Sequence, residues 1–191
     1  MKRSSSNDAT RNGKSNFPTV ENITPFIMSY AHESSEILSN RLEQHGYLFM
    51  KQLLPSEEVL SLRNKFAKIL QNGGWTDDSS TNAQPLKTSP SKYNPSRIEG
   101  YPEFMNNFFN HFQRLKEFHR LSHHPNILSL LEKKIFNKKP FPHRRNIGRV
   151  MWPKRMEHTT PPHQDWFYIQ GAPRTITAWI NLDYCPINHG K

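Results

Sequence analysis

Long apolar runs are missing from this 191-residue chain. The longest cover only a few residues, far short of the roughly 20 that a membrane-spanning helix needs. The polar opening, Met1 to Asn16, holds no apolar core of a secretory signal, so none is expected there. Cysteine occurs once, as Cys185, which excludes an internal disulfide and points to a reducing compartment. A soluble, cytoplasmic protein is therefore the expectation. Apolar residues make up only 34% of the chain against 15 prolines, so part of it should stay unstructured. There are no internal repeats.

Acidic residues are also scarce: 16, against 26 Lys and Arg, for a net charge of +10. Such a surplus can attract nucleic acid, an anionic membrane or a phosphorylated substrate. The basic residues are spread, however, with clusters only at Lys133-Lys134, Lys138-Lys139 and His143-Arg144-Arg145. No zinc-finger, RNA-recognition or basic-zipper pattern accompanies them, so nucleic acid is not an expected partner. A scattered positive excess is the ordinary mark of a solvated surface.

What is present divides the chain into three parts. Residues 1–25 form a polar, basic tail with almost nothing to bury. Residues 26–142 are mainly helical. Apolar residues from Phe26 to Leu42 follow mixed helical spacing, and Gly46 to Met50 reads as a short buried strand. Pro55, Ser56, Glu57 and Glu58 then open a helix that Gly73-Gly74 should stop. The polar stretch 76–98 is too long for an ordinary connection and is expected to be a flexible loop. Helical periodicity returns from Phe104 to Leu121 and again from Asn126 to Phe136, with stripes that suit core packing. From residue 143 the pattern changes to strands, predicted at Asn146 to Trp152, Pro162 to Gln170 and Thr175 to Asp183. A turn at Gly171-Ala172-Pro173 joins the last two. Helices first and strands after define an α+β class, with the β part just begun.

The residues that carry chemistry lie in the second predicted strand. In a strand, residues two apart share a face, so His163 and Asp165 would converge on one point. An imidazole and a carboxylate so placed suit two legs of the 2-His-1-carboxylate arrangement, which holds Fe(II) and leaves positions open for a co-substrate and dioxygen. Alone the tripeptide says little. With 10 histidines and 5 aspartates, a chance His-x-Asp is expected in roughly one such chain in four. A hydrogen-bonded pair with no metal role is the other reading.

The surroundings are more specific: Pro161-Pro162-His163-Gln164-Asp165-Trp166-Phe167-Tyr168-Ile169-Gln170-Gly171, then Thr177-Ala178-Trp179-Ile180-Asn181-Leu182-Asp183. This resembles the phytanoyl-CoA dioxygenase family, in which a proline-flanked His-Gln-Asp strand leads through a turn to a Trp-Ile-x-Leu strand. Gly46 to Phe49 followed by the Pro55-to-Glu58 helix start resembles the family's N-terminal strand and helix. The likeness covers about residues 40–191 and is sharpest over 161–183.

The resemblance implies N-terminal helices packed on a double-stranded β-helix, or jelly-roll, of which only the first strands are present. It implies His163 and Asp165 as ligands of Fe(II), with 2-oxoglutarate as co-substrate. Trp179 matches the family tryptophan that lines the 2-oxoglutarate pocket, and core packing is its alternative role. Thr177 would share its face. Arg149 is a candidate for the co-substrate or substrate, or a plain surface arginine. Trp166 and Tyr168 are candidates to close over the substrate, or to pack the sheet. Because an aspartate stands at 165 where related halogenases have a small residue, hydroxylation of a small organic molecule is the implied reaction. The family's second histidine ligand and the arginine that clamps 2-oxoglutarate come later than Asn188-His189-Gly190-Lys191, and His189 is a poor replacement. The expectation is thus a truncated dioxygenase, with a catalytically inactive product that keeps at most a binding role as the alternative. Long-read sequencing of the native transcript should find the frame continuing past Lys191 through a Gly-Ser-His-like segment and then an arginine. A stop directly after Lys191 would favour the inactive product.

Overall fold

A computed structural model of the protein describes residues 24–73, 76, 110–150 and 163–183. Residues 1–23, nearly all of the 76–98 stretch and Cys185 and His189 lie outside the described residues.

The described chain opens with a small βαβ unit. Strand β1, Met28–Ser29, pairs in parallel with β2, Phe49–Met50, in the register Met28 with Phe49 and Ser29 with Met50. Parallel strands need a crossover, and helix α1, Ser35–His45, supplies it. The helix starts where the Ser34 side chain accepts from the Ile37 amide, 3.2 Å away. It stops at Gly46, whose φ of +74° is a left-handed conformation that glycine adopts without strain. The helical spacing read from Phe26 onward thus begins only at Ser35. The earlier apolar residues run extended, with Phe26 packed against the rings of Tyr47 and Phe49. Arg41 ties the unit together. Its guanidinium donates to both carboxylate oxygens of Glu33, to the Ser29 hydroxyl at 2.7 Å and to the Met28 carbonyl at 3.2 Å.

Helix α2, Ser56–Asn72, has the predicted start and stop, with Glu57 and Glu58 in its first turn and Gly73 as its C-cap. Its buried stripe is Leu62, Arg63, Phe66 and Leu70. The leucines and Phe66 recur at four-residue spacing, as a helix facing a core requires. Phe112 and Phe118 complete that core, and Val150 and Leu182 pack against its edge.

The single helix predicted over Phe104 to Leu121 is broken. Its described part forms two pieces, α3, Asn110–Phe112, and α4, Lys116–Leu121. Leu115 takes an extended conformation between them, which points both Phe112 and Phe118 at Phe66. Gly148 sits so close that a Cβ there would overlap the Phe112 ring. The helix predicted over Asn126 to Phe136 forms, but in two conformations. Helix α5, Pro125–Leu130, widens into a π-helix, Leu131–Phe136, that ends at left-handed Asn137. The π-helix packs on α1 through the Ser35 and Ser39 hydroxyls, which donate to the Lys133 and Lys134 carbonyls.

The β part departs from expectation. Among the described residues the only sheet is the β1–β2 pair. Residues 146–150 run without ladder partners, and so does 175–183. The predicted strand at Pro162 to Gln170 is instead a one-turn helix, α6, Trp166–Ile169. Local hydrogen bonds explain the difference: the Asp165 carbonyl accepts from the Tyr168 and Ile169 amides at 3.0 and 2.9 Å. A strand would instead need its amides and carbonyls paired on a neighbouring strand, and no such ladder forms there among the described residues. The double-stranded β-helix expected from residue 143 is therefore not seen among the described residues.

One long-range contact fastens this segment to the helices. Arg63, 4% exposed on the core face of α2, donates from Nε to Asp183 Oδ1 at 3.0 Å, across 120 positions of sequence. With Leu182 it anchors the chain end of the 163–183 segment. Arg63→Met keeps the apolar stem but removes the guanidinium that Asp183 accepts from. It is expected to cost about 2 kcal/mol in urea unfolding and to speed proteolytic nicking near residue 180. Equal stability with no faster nicking would remove this pair from its anchoring role.

Candidate metal and co-substrate site

His163 and Asp165 meet, though not by strand alternation. Asp165 stands at the N-cap of α6 with a backbone φ of −60° and ψ of −29°. The turn folds its carboxylate back so that Oδ1 lies 3.2 Å from His163 Nε2. Both side chains are partly open to solvent. The other carboxylate oxygen, Oδ2, accepts from the Thr177 hydroxyl at 2.6 Å. Thr177 reaches it because the chain reverses between α6 and residue 175. Gln170 and Gly171 make that reversal with φ of +58° and +96°, and the Thr175 hydroxyl closes it onto the Ala172 carbonyl at 2.8 Å.

The electrostatics follow from these partners. The Thr177 hydroxyl does most to hold the Asp165 carboxyl below the usual carboxylate range. Partial burial opposes it, while the hydrogen bond and charge of His163 and the positive charge of Arg149 push the same way as Thr177. The aspartate is thus kept ionised and oriented, with an imidazole nitrogen beside it. A nitrogen and a carboxylate oxygen are donors that Fe(II) accepts. Among the described residues no third His, Cys, Asp or Glu joins the pair.

The remaining candidates are distributed around this point. Arg149 is exposed, and its charge is felt at Asp165. Trp179 is 70% exposed, its indole N–H donating to Asn181 Oδ1 at 2.8 Å. Tyr168 stands edge-on to the His163 ring at 5.7 Å, and Trp166 packs edge-on to Phe167. The structure therefore brings His163, Asp165, Thr177 and Tyr168 together, with Arg149 in electrostatic reach. Trp179 bonds instead to Asn181, and Trp166 packs on Phe167. Sequence reasoning missed Arg63 and Asp183, which position the segment. Their one legible sign was a charged residue on the apolar stripe of α2, a place that calls for a partner.

A histidine and an ionised aspartate, the aspartate held by the Thr177 hydroxyl, place one nitrogen and one oxygen donor of the kind a non-haem metal ion accepts side by side. Comparison with protein families is consistent with that chemistry and more specific. The phytanoyl-CoA dioxygenase (PhyH) family model matches residues 42–190, more than three quarters of the 191 residues. The chain belongs to the phytanoyl-CoA dioxygenase family. Searches of curated proteins and of solved structures returned no significant match. The family's cupin-like fold is compatible with the helices and the small parallel sheet described above. Its members are generally dependent on Fe(II) and 2-oxoglutarate, which implies a small-molecule substrate and dioxygen as reactants. No described helix is long and apolar enough to cross a membrane.

Thr177→Val removes the strongest hold on the Asp165 carboxyl, so its titration midpoint should rise towards the usual carboxylate range in carboxyl NMR. The sign for stability follows. A folded pKa below the unfolded one contributes stability that is present above the unfolded pKa and lost as pH falls through the folded one. The variant should therefore lose less stability on acidification than the parent. An unmoved midpoint would show that Thr177 does not control this group.

Proposed function

We propose that this protein is an Fe(II)- and 2-oxoglutarate-dependent hydroxylase of a small organic molecule, to which residues 163–183 contribute two of three metal ligands. The observation that carries the proposal is the approach of His163 Nε2 to Asp165 Oδ1 at 3.2 Å, with Oδ2 held by Thr177. Two donors from one short segment leave the rest of the coordination sphere for a third ligand, 2-oxoglutarate and dioxygen. The third ligand is to come from outside the described residues, as is the arginine that the family uses on the far carboxylate of the co-substrate. The β-helix that would frame them is proposed to begin near residue 143.

The roles of this chain's own groups are as follows. His163 and Asp165 bind the metal, and Thr177 orients the carboxylate from behind, which is what a partner in the outer shell contributes. Arg149 supplies positive charge beside the ligands, suited to one carboxylate of 2-oxoglutarate. Trp179 lines the co-substrate side, while Trp166 and Tyr168 offer aromatic surface to a substrate. When bound, iron with 2-oxoglutarate and dioxygen supplies the oxidising power, and the protein presents a C–H bond to it. Asp165 supports hydroxylation over halogen transfer, because the carboxylate takes the position a halide would need.

Anaerobic Fe(II) titration followed by addition of 2-oxoglutarate tests the reading, with succinate release over a panel of small substrates as the activity measure. His163→Ala and Asp165→Ala are expected to abolish the visible iron–2-oxoglutarate band. Thr177→Val is expected to weaken metal binding by roughly tenfold. If both alanine variants hold Fe(II) as tightly as the parent, the metal assignment fails. If metal binds at His163 and Asp165 but no substrate yields succinate, the chain is better described as an inactive product with a binding role.

A further inference from the structure

The basic pair Lys133-Lys134 has no part in the site above, yet its backbone is tied to helix α1 and one of its ammonium groups to the Glu33 carbonyl. Both lysines belong to the π-helix Leu131–Phe136. Their carbonyls accept from the Ser35 and Ser39 hydroxyls at 3.3 and 3.2 Å, and Lys134 Nζ donates to the Glu33 carbonyl at 3.1 Å. A π-helix is rare, and single turns of it within α-helices frequently lie at functional sites. Opposite it, Gln52 is held at a φ of +52°, a strained conformation for a residue with a side chain. Strained residues of this kind cluster at ligand clamps.

Between these features lies a cavity of about 340 Å³. Its wall includes Gln52, Leu53, Asn126, Ser129, Lys133 and Lys134, and none of its lining residues is acidic. The wall is braced across 73 positions of sequence by the Asn126 side-chain amide, which donates to the Leu53 carbonyl at 2.8 Å. The nearby Glu33 carboxylate is occupied by Arg41 and the Tyr30 amide, so it does not neutralise the lysines. The cavity is therefore bordered by two lysines, the exposed Lys133 and Lys134 with its ammonium on the Glu33 carbonyl, and by residues with amide and hydroxyl donors.

We propose that this cavity binds the phosphate group of a small soluble molecule. Lysine serves as a point charge for phosphate, and the Gln52, Asn126 and Ser129 side chains can donate to its remaining oxygens. The volume exceeds that of a bare phosphate and sits at the lower end of small-ligand sites, leaving room for a modest organic group. The proposal is independent of the metal reading, since no lining residue belongs to the 163–183 segment.

The test is an amide NMR titration of the full chain with inorganic phosphate, against chloride at matched ionic strength. Saturable shifts are expected at Gln52, Asn126, Ser129 and Lys133, and none of them with chloride. Lys133→Gln, whose side chain is exposed, should weaken binding at least about tenfold through loss of a charge-assisted hydrogen bond. Lys138→Gln, another lysine near the end of the π-helix but outside the cavity wall, should bind like the parent. Glycerol phosphate should shift the same amides, and phosphatidic acid vesicles should not bind. The proposal is overturned if the shifts follow ionic strength without saturating, or if the two lysine variants lose affinity equally. Binding to the vesicles without binding to soluble phosphate would overturn it too.

Discussion

The ion pair between the buried Arg63 and the partly buried Asp183 is the contact on which the placement of the candidate site depends. Arg63 occupies a core position on α2, where a lone guanidinium would be costly, and Asp183 neutralises it from the far end of the motif segment. The pair is directional as well as charged. Nε donates to one carboxylate oxygen, so it fixes where the chain passes α2. Leu182 beside it packs on the same core as Phe66 and Phe112, which makes the anchorage apolar and ionic at once.

Within that frame the site is built from short-range contacts. The turn at Gln170-Gly171 returns the chain so that Thr177 reaches Asp165, twelve positions earlier. That hydroxyl orients the carboxylate and, ahead of His163 and Arg149, favours its ionised form. The imidazole of His163 needs no strand to reach the same point, because the start of α6 bends Asp165 back towards it. The family pattern over residues 42–190 includes positions 163 and 165, where the imidazole and the carboxylate meet.

The helical part was legible where local rules act alone. Helix α2 runs from its acidic first turn to its glycine stop as the residues predict, and β2 falls within Gly46 to Met50. Legibility failed where tertiary contacts override periodicity. The continuous spacing from Phe104 to Leu121 concealed a break at Leu115, made because Phe112 and Phe118 must both face Phe66. The regular stripe from Asn126 to Phe136 likewise gave no sign of a π-helix, which the serines of α1 stabilise from outside. The residues from Pro162 to Gln170 suit a strand, but among the described residues no ladder pairs with them, and the turn of α6 supplies local hydrogen bonds instead.

The order of residues by itself determined the chemistry available: a His-Gln-Asp motif in a proline and aromatic setting, a charge of +10 and the family to which these belong. Those properties are carried by side-chain identity and close spacing, which folding does not alter. The three-dimensional structure decided which groups touch. That Thr177 holds Asp165, that Arg63 finds Asp183 across 120 positions and that Lys133 and Lys134 border a cavity are all contacts between distant parts of the chain. No local pattern encodes such pairs, because each depends on where the core brings two segments together.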